Sequence, residues 1–232
     1  MRTIIFSDTH LTNRFDKHRS DFMRRIINRT DRVIINGDFW DDSVKNHRFM
    51  VSQWKQLFPM LKKKKTIYVY GNHDKKEKWS EDVHQFCVRG CSEYRFRSGK
   101  REFIVKHGDS LVPAASYRHL QDKHKNPVAR LFWWSALIIP HRMHGLMIAL
   151  RLERLPIFFT EGRFYENFKY LNEHMKEHTR QLGKDQFLIC GHSHSQEIDM
   201  EKNYINTGFI NHGIGQYAVI EDGKISMVDD RY

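Results

Sequence analysis

A chain of 232 residues, 40% of them hydrophobic and 13% aromatic, is long enough to bury one large core and falls outside the disordered class. A net charge of +11 suits nucleic acid, anionic lipid headgroups or a phosphorylated small substrate alike. Three cysteines, Cys87, Cys91 and Cys190, cannot all pair, which argues against a disulfide framework and for a reducing compartment. No basic-then-apolar leader precedes the first strand, so the expected location is the cytosol. Cys87 and Cys91, with His84 nearby, lack the second ligand pair that a structural zinc needs and read as buried or idle thiols.

In chain order, the apolar run Ile4-Ile5-Phe6 is followed by Asp8-Thr9-His10. Residues 19–28, with Phe22, Ile26 and Ile27 on one face, read as a helix. Val33-Ile34-Ile35 leads into Gly37-Asp38, and residues 47–61, with Phe49, Met50, Trp54, Leu57 and Phe58 on one face, form the next helical pattern. It runs into Lys62-Lys63-Lys64-Lys65, read as a solvated helix end whose cations suit the dipole. Ile67-Tyr68-Val69-Tyr70 precedes Gly71-Asn72-His73-Asp74, and Phe103-Ile104-Val105 precedes His107-Gly108-Asp109.

Residues 110–185 show no strand alternation and are expected to form a helical cap inserted into a core of residues 1–109 and 186–232. The cap's apolar runs, 131–139 and 146–150, are broken by Pro140, His141 and Arg142 and are too short to span a bilayer. Trp133 and Trp134, among Arg130, Arg142, Arg151 and Arg154, suit either core packing or a surface that meets lipid. Phe187-Leu188-Ile189-Cys190 then leads to Gly191-His192-Ser193-His194. Shorter strands at 204–207, 217–220 and 224–228 follow, with a hairpin signal at Glu221-Asp222-Gly223. These are expected to build a second sheet packed on the first.

Strand, helix, strand with short connections marks a layered α/β domain. In such a sheet the loops at the carboxyl ends of buried parallel strands converge on one crevice. Carboxylate, carboxamide and imidazole groups meeting there make a mixed O/N site suited to two divalent cations that share a carboxylate, with Asp38 the candidate for the shared one.

The five motifs and their order resemble the calcineurin-like metallophosphoesterase superfamily, whose pattern runs DxH, GDxxD, GNH[ED], a lone His and GHxH. Here GDxxD is filled by Gly37-Asp38-Phe39-Trp40-Asp41 and the lone His by His107. The resemblance implies a two-sheet sandwich flanked by helices and a phosphoester hydrolase that needs no covalent enzyme intermediate. It implies that Asp8, His10, Asp38 and His194 hold one metal, and Asp38, Asn72, His107 and His192 the other. Manganese is the ion expected, and such ligands also accept iron, zinc or magnesium. By the same resemblance His73 stabilises phosphoryl charge or protonates the leaving oxygen, with Asp74 orienting its ring, while Asp41 and Asp109 fix neighbouring groups. His212 is a further candidate to approach from the final loops.

The chain's length, its opening Asp8-Thr9-His10-Leu11, Phe39-Trp40 and the position of the insertion also resemble the UDP-2,3-diacylglucosamine hydrolases. Those are peripheral membrane enzymes that cleave the pyrophosphate of an acylated nucleotide sugar. That likeness implies a lipid-linked phosphorylated substrate, contact with an anionic membrane, and substrate contacts from Asn72, His73, Trp133, Trp134 and Arg142. His73 stands where that subtype commonly carries Arg, so a soluble phosphodiesterase or phosphatase acting on nucleotides or nucleic acid is the alternative. No nucleic-acid module is recognisable, which disfavours nucleic acid as a partner.

Overall fold

The computed structural model describes residues 1–41, 47–116 and 168–232. Its elements, in order, are β1 (Arg2–Phe6), α1 (Lys17–Asn28), β2 (Arg32–Asn36), α2 (His47–Trp54), α3 (Phe58–Lys63), β3 (Ile67–Val69), α4 (Lys76–Val83), β4 (Arg89–Cys91), β5 (Tyr94–Ser98) and β6 (Arg101–Val105). After residue 167 come α5 (Lys169–Glu177), β7 (Gln186–Cys190), β8 (Glu197–Asp199), β9 (Tyr204–Asn206), β10 (Ile210–Asn211), β11 (Ile214–Glu221) and β12 (Lys224–Arg231).

Two mixed sheets face each other. The first runs β10-β11-β1-β2-β3-β4, with β12 paired to β11, and β1 through β4 are parallel. The second runs β5-β6-β7-β9-β8, with β6, β7 and β9 parallel. Alternation along the strands sorts the side chains into layers. Ile5, Ile34, Val69, Phe103, Val105, Phe187, Ile189 and Ile205 fill the space between the sheets. Ile4, Phe6, Val33, Ile35 and Tyr68 point the other way, against Phe22, Ile26, Trp54, Leu57 and Trp79 of the helical layer. Ile104, Leu188 and Tyr204 turn to the opposite outer face, where Leu171 and Met175 of α5 cover them.

The two-sheet α/β sandwich agrees with expectation, while the membership of the sheets does not. The strands ending at Val105 and Cys190 lie in the second sheet, and the β11–β12 hairpin joins the first, along β1. A short apolar run shows that a strand is buried on both faces but not which strand it pairs with. In the observed pairing Ala218 and Ile220 of β11 turn toward the inter-sheet core beside Ile5.

The helix read over 47–61 breaks after Trp54 into a 3₁₀ turn, Lys55–Leu57, and resumes as α3 with Pro59 in its first turn. Proline has no N–H to donate and its ring would meet the carbonyl four residues back, so it fits only where a helix starts. The lysine run after α3 is partly employed: Lys62 Nζ donates to the carbonyls of His84 and Cys87, at 3.0 and 2.9 Å, and Lys64 Nζ to that of Thr30. α4 and β4 carry no clear periodic signal, whereas β5, also outside the expected elements, does alternate aromatic and charged residues over Tyr94-Arg95-Phe96-Arg97. Lys169–Glu177, within the stretch expected as the cap, is the helix α5, which covers the second sheet, while 117–167, with Trp133, Trp134 and Arg142, lie outside the described residues.

Candidate metal centre

Every expected ligand sits in a turn that directly follows a strand. The loop after β1 and the loop after β2 continue to pair beyond their strands. Asp8 N donates to Gly37 O at 3.1 Å, His10 N to Asp38 O at 2.9 Å and Leu11 N to Phe39 O at 2.8 Å. The backbone there is forced into the left-handed region at Asp8, His10, Asp38, His192 and His194, with φ of 53, 42, 51, 67 and 54°. For side-chain-bearing residues that conformation costs about 1–2 kcal/mol each, and its clustering at one place is a mark of a functional site. Two glycines of the motifs answer to crowding. A Cβ on Gly71 would lie 2.2 Å from Asp38 Oδ1, and one on Gly191 would lie 2.5 Å from Asp8 Oδ2.

Two carboxylates form the floor. Asp8 is completely buried and Asp38 nearly so. His194 Nε2 lies 3.1 Å from Asp8 Oδ1, and His10 Nε2 lies 3.9 Å from both Asp8 Oδ1 and Asp38 Oδ2. On the far side His107 Nε2 is 3.2 Å from Asp38 Oδ2 and 3.2 Å from Asn72 Oδ1. Asp38 Oδ2 therefore adjoins both His10 and His107, while its Oδ1 is pinned by His73 N at 2.9 Å. The remaining oxygen of Asp8 accepts from His192 N at 2.9 Å. Ligand-type atoms converge in three groups, Asp8 with His10 and His194, Asp38 with His107 and His192, and between them His10 with Asp38 and His73. The first holds three of the four residues expected around one ion, Asp38 not being among them, and the second three of the four expected around the other, with Asn72 adjoining it.

The donor set fits divalent cations. A buried oxygen of Asp8, Oδ1, has no well-directed hydrogen bond and faces His194. His107 Nδ1 lies 2.9 Å from the Asn36 carbonyl, an acceptor only, so the proton there is held on Nδ1 and Nε2 is turned to Asp38 and Asn72. Burial disfavours charge on Asp8, yet His194 and His107 outweigh it and lower its pKa to about 2. Burial, with the neighbouring His73 adding to it, lowers His10 to about 4, and burial with His107 lowers His192 to about 4. Burial works the same way on His107, but Asp38 and Asp8 overcome it and raise its pKa to about 10. Neutral imidazoles beside ionised carboxylates are the set hard and borderline cations take, and His107 has one proton to give up first. The side chains of His10, His194 and His73 are 13, 20 and 27% exposed against 1–2% for Asp38 and His107, and His192 and Asn72 are also partly exposed, so the imidazoles other than His107 reach the open side of the centre.

Asp74 does not do what was expected of it. Its Oδ2 accepts from Phe39 N at 2.7 Å and from the Tyr68 hydroxyl, and its Oδ1 from Gly71 N at 2.7 Å. It thereby fastens the Gly37-Asp38 loop to the Gly71-Asn72 loop. Burial and the nearby Asp38 charge raise its pKa to about 6. A carboxylate beside the His73 ring is that of Asp41, whose Oδ1 lies 3.7 Å from His73 Nδ1. His73 also meets the His10 ring edge-on, with centroids 4.8 Å apart. Asp109 adds to the field that raises His107, and His212 joins none of the ligand groups.

Three supporting residues escaped sequence reading. Phe209 stacks on His194 at 5.7 Å between centroids, Asn36 ties the sheets by donating to Lys106 O at 3.0 Å, and buried Arg19 donates to Thr9 O at 2.8 Å. Only Arg19 left a trace, as a charged residue on the apolar face of α1, three positions before Phe22. Phe209 and Asn36 belong to none of the motifs.

Fold and centre together define a metal-dependent phosphoester hydrolase. The family model of the calcineurin-like phosphoesterases matches residues 1–196, and the chain belongs to that family. Among solved structures, a dimetal phosphatase from Danio rerio is similar over 100% of this chain and 96% of its own, at 11% identity and a TM-score of 0.50. Yfce, a phosphoesterase from E. coli, is similar over 100% of both chains, at 12% identity and a TM-score of 0.44. A predicted phosphoesterase from Streptococcus pneumoniae TIGR4 covers 100% of this chain and 92% of its own, at 18% identity and a TM-score of 0.40. No curated protein matches the chain. The family implies divalent metal ions, for which the three groups of ligand-type residues offer places.

Proposed function

We propose that this chain hydrolyses a phosphodiester or pyrophosphate bond at a pair of divalent cations. Asp8, His10, Asp38 and His194 would hold one cation and Asp38, Asn72, His107 and His192 the other. The observation that carries the reading is the position of Asp38 Oδ2, 3.9 Å from His10 Nε2 and 3.2 Å from His107 Nε2, so that one carboxylate oxygen adjoins a histidine of each expected set. When bound, such cations polarise a phosphoryl oxygen and lower the pKa of water so that it attacks near neutral pH. His73, on the open side and beside Asp41, is placed to stabilise the phosphoryl charge or to pass a proton to the leaving oxygen. Asp38 and Asp8 orient the backbone of His73 and His192 at the same time as they face the imidazoles. Metal analysis and chelation test this: two ions per chain and activity that falls with chelator and returns with Mn²⁺ are expected, and full activity after exhaustive metal removal overturns it.

The substrate we favour is a lipid-linked diphosphate such as UDP-2,3-diacylglucosamine, met at the inner face of an anionic membrane. Its support is in the sequence: the net charge of +11, the Phe132-Trp133-Trp134 run and the arginines around it. Among the described residues no helix is long and apolar enough to cross a membrane. Changing Trp133 and Trp134 to Ser is expected to weaken binding to anionic vesicles and turnover of an acylated substrate while sparing a small soluble phosphodiester. Unchanged vesicle binding would favour the second reading, a soluble nucleotide or phosphodiester, to which the histidine at position 73 also points.

A further inference from the structure

We infer that Asn172 of α5 is the positioning residue for both imidazoles of the Gly191-His192-Ser193-His194 turn, an inference that rests on the two-metal reading. Asn172 is completely buried and every polar atom of its side chain is used. Its Oδ1 accepts from Ser193 Oγ at 2.7 Å, Asn206 Nδ2 at 3.0 Å and the Tyr204 hydroxyl at 3.1 Å. Its Nδ2 donates to Ser195 O at 3.1 Å and to Glu197 Oε2 at 2.7 Å.

Ser193 stands between the two histidines, and its buried hydroxyl is the hub. It donates to Asn172, and it accepts from Asn206 Nδ2 at 3.0 Å and from Ser195 N at 3.2 Å. Asn206 also donates to Gly191 O at 2.6 Å. The turn is thus clamped at Gly191, at Ser193 and at Ser195, with His192 and His194 projecting from the positions in between. Both histidines are held in the left-handed backbone region, which an unclamped turn would leave.

The clamp is anchored in the helix. Lys176, one turn beyond Asn172 and 5% exposed, donates to Glu197 Oε1 at 2.5 Å and to Glu173 Oε1 at 2.8 Å, which fixes the carboxylate that receives Asn172 Nδ2. The hydrogen bonds to the turn run to the backbone at Gly191 and Ser195 and to the Ser193 hydroxyl. They act on the ligands through the backbone, as outer partners of metal sites do, and loss of such a partner lowers metal affinity by roughly 10–100-fold.

Titration of the metal-free protein with Mn²⁺ by calorimetry, together with Tm measured without and with Mn²⁺, tests the inference. For Asn172→Ala we expect Mn²⁺ affinity to fall about 10–100-fold and the Mn²⁺-induced rise in Tm to shrink. Ser193→Ala removes the hub hydroxyl alone and is expected to change both readouts in the same direction, so it carries the test if Asn172→Ala does not fold. A purely structural role would lower Tm equally with and without Mn²⁺ at unchanged affinity, and that result in the foldable variants overturns the inference. Absence of Mn²⁺ binding by the unmodified protein would instead overturn the two-metal reading.

Discussion

At the scale of the residue, Asp38 and His73 separate binding from chemistry. Asp38 Oδ2 lies between the two histidine groups, so Asp38→Ala is expected to remove both ions together, read by metal analysis of the purified protein. Retention of one ion at full occupancy would make the two groups independent. His73→Gln is expected to keep the metal content and lower kcat by about 10²–10⁴-fold, the range for lost acid–base assistance. The loss is expected to be smaller on aryl phosphates, whose leaving groups need no proton. Because His10, Asp38 and His73 also converge as a ligand-type group, loss of metal in His73→Gln would reassign His73 as a ligand. The ligand residues themselves were legible because each motif pairs its residues with a strand end. Asp74 was misread because the four-residue motif places it beside His73, whereas the tight turn directs its side chain to Gly71, Phe39 and Tyr68.

At the scale of the element, the glycines of the motifs carry as much of the site as the ligands do. A Cβ at Gly71 would stand 2.2 Å from Asp38 Oδ1 and 2.7 Å from Asp38 N, so the carboxylate or its loop has to move. Gly71→Ala is expected to lose metal affinity by calorimetric titration. Gly183→Ala, where the nearest atom is Gln186 Oε1 at 3.5 Å, is the matched control and is expected to bind metal as the unmodified protein does. Equal affinities in the two variants would show that the Asp38 loop yields. The strands β1, β2, β3, β6 and β7 were legible as buried apolar runs, and α1 from its periodicity. α4 and β4 were not, since they are short and their structure comes from the neighbours they pair with or cover, while the alternation Tyr94-Arg95-Phe96-Arg97 of β5 is a strand signal that lies outside the ligand-bearing runs.

At the scale of the whole molecule, the charge of the centre sets the pH response of the metal-free protein. His107 has a folded pKa near 10 against 6.5 for the free side chain, so its contribution is complete below about pH 6.5 and is lost as pH rises toward 10. His10 and His192, lowered to about 4, cost stability as pH falls from 6.5 toward 4. Asp8, lowered to about 2, adds a further loss below pH 3.8, while Asp74, raised to about 6, opposes the histidines by favouring the folded state as pH falls from 6 to 3.8. Tm of the metal-free protein is therefore expected to peak near pH 6.5 and to decline toward pH 9. Metal binding at pH 8 is expected to release a proton from His107, visible as a dependence of the calorimetric heat on the buffer. A heat independent of buffer, or a Tm that climbs from pH 6.5 to 9, would contradict the charge assigned to His107.

The amino-acid sequence alone determined the chemical inventory and its spacing. Apolar runs of three to four residues rich in Ile, Val, Phe and Tyr and closed by glycine-bearing turns suit buried strands, being too short for helices, and the residues after each run then fall at strand ends. That is enough to bring Asp8, His10, Asp38, Asn72, His107, His192 and His194 to the same edge of an α/β fold. Tertiary structure decided the rest, because it depends on contacts between residues far apart in the chain. Among these are the split of the five strands between two sheets, the joining of β11 and β12 to β1, and the turning of Asp74 away from His73. The burial of Asn172 beneath Ser193, 21 positions distant, belongs with them. Local pattern records what a residue carries and which face it takes, but the partner that takes up its hydrogen bond is chosen only when the layers close.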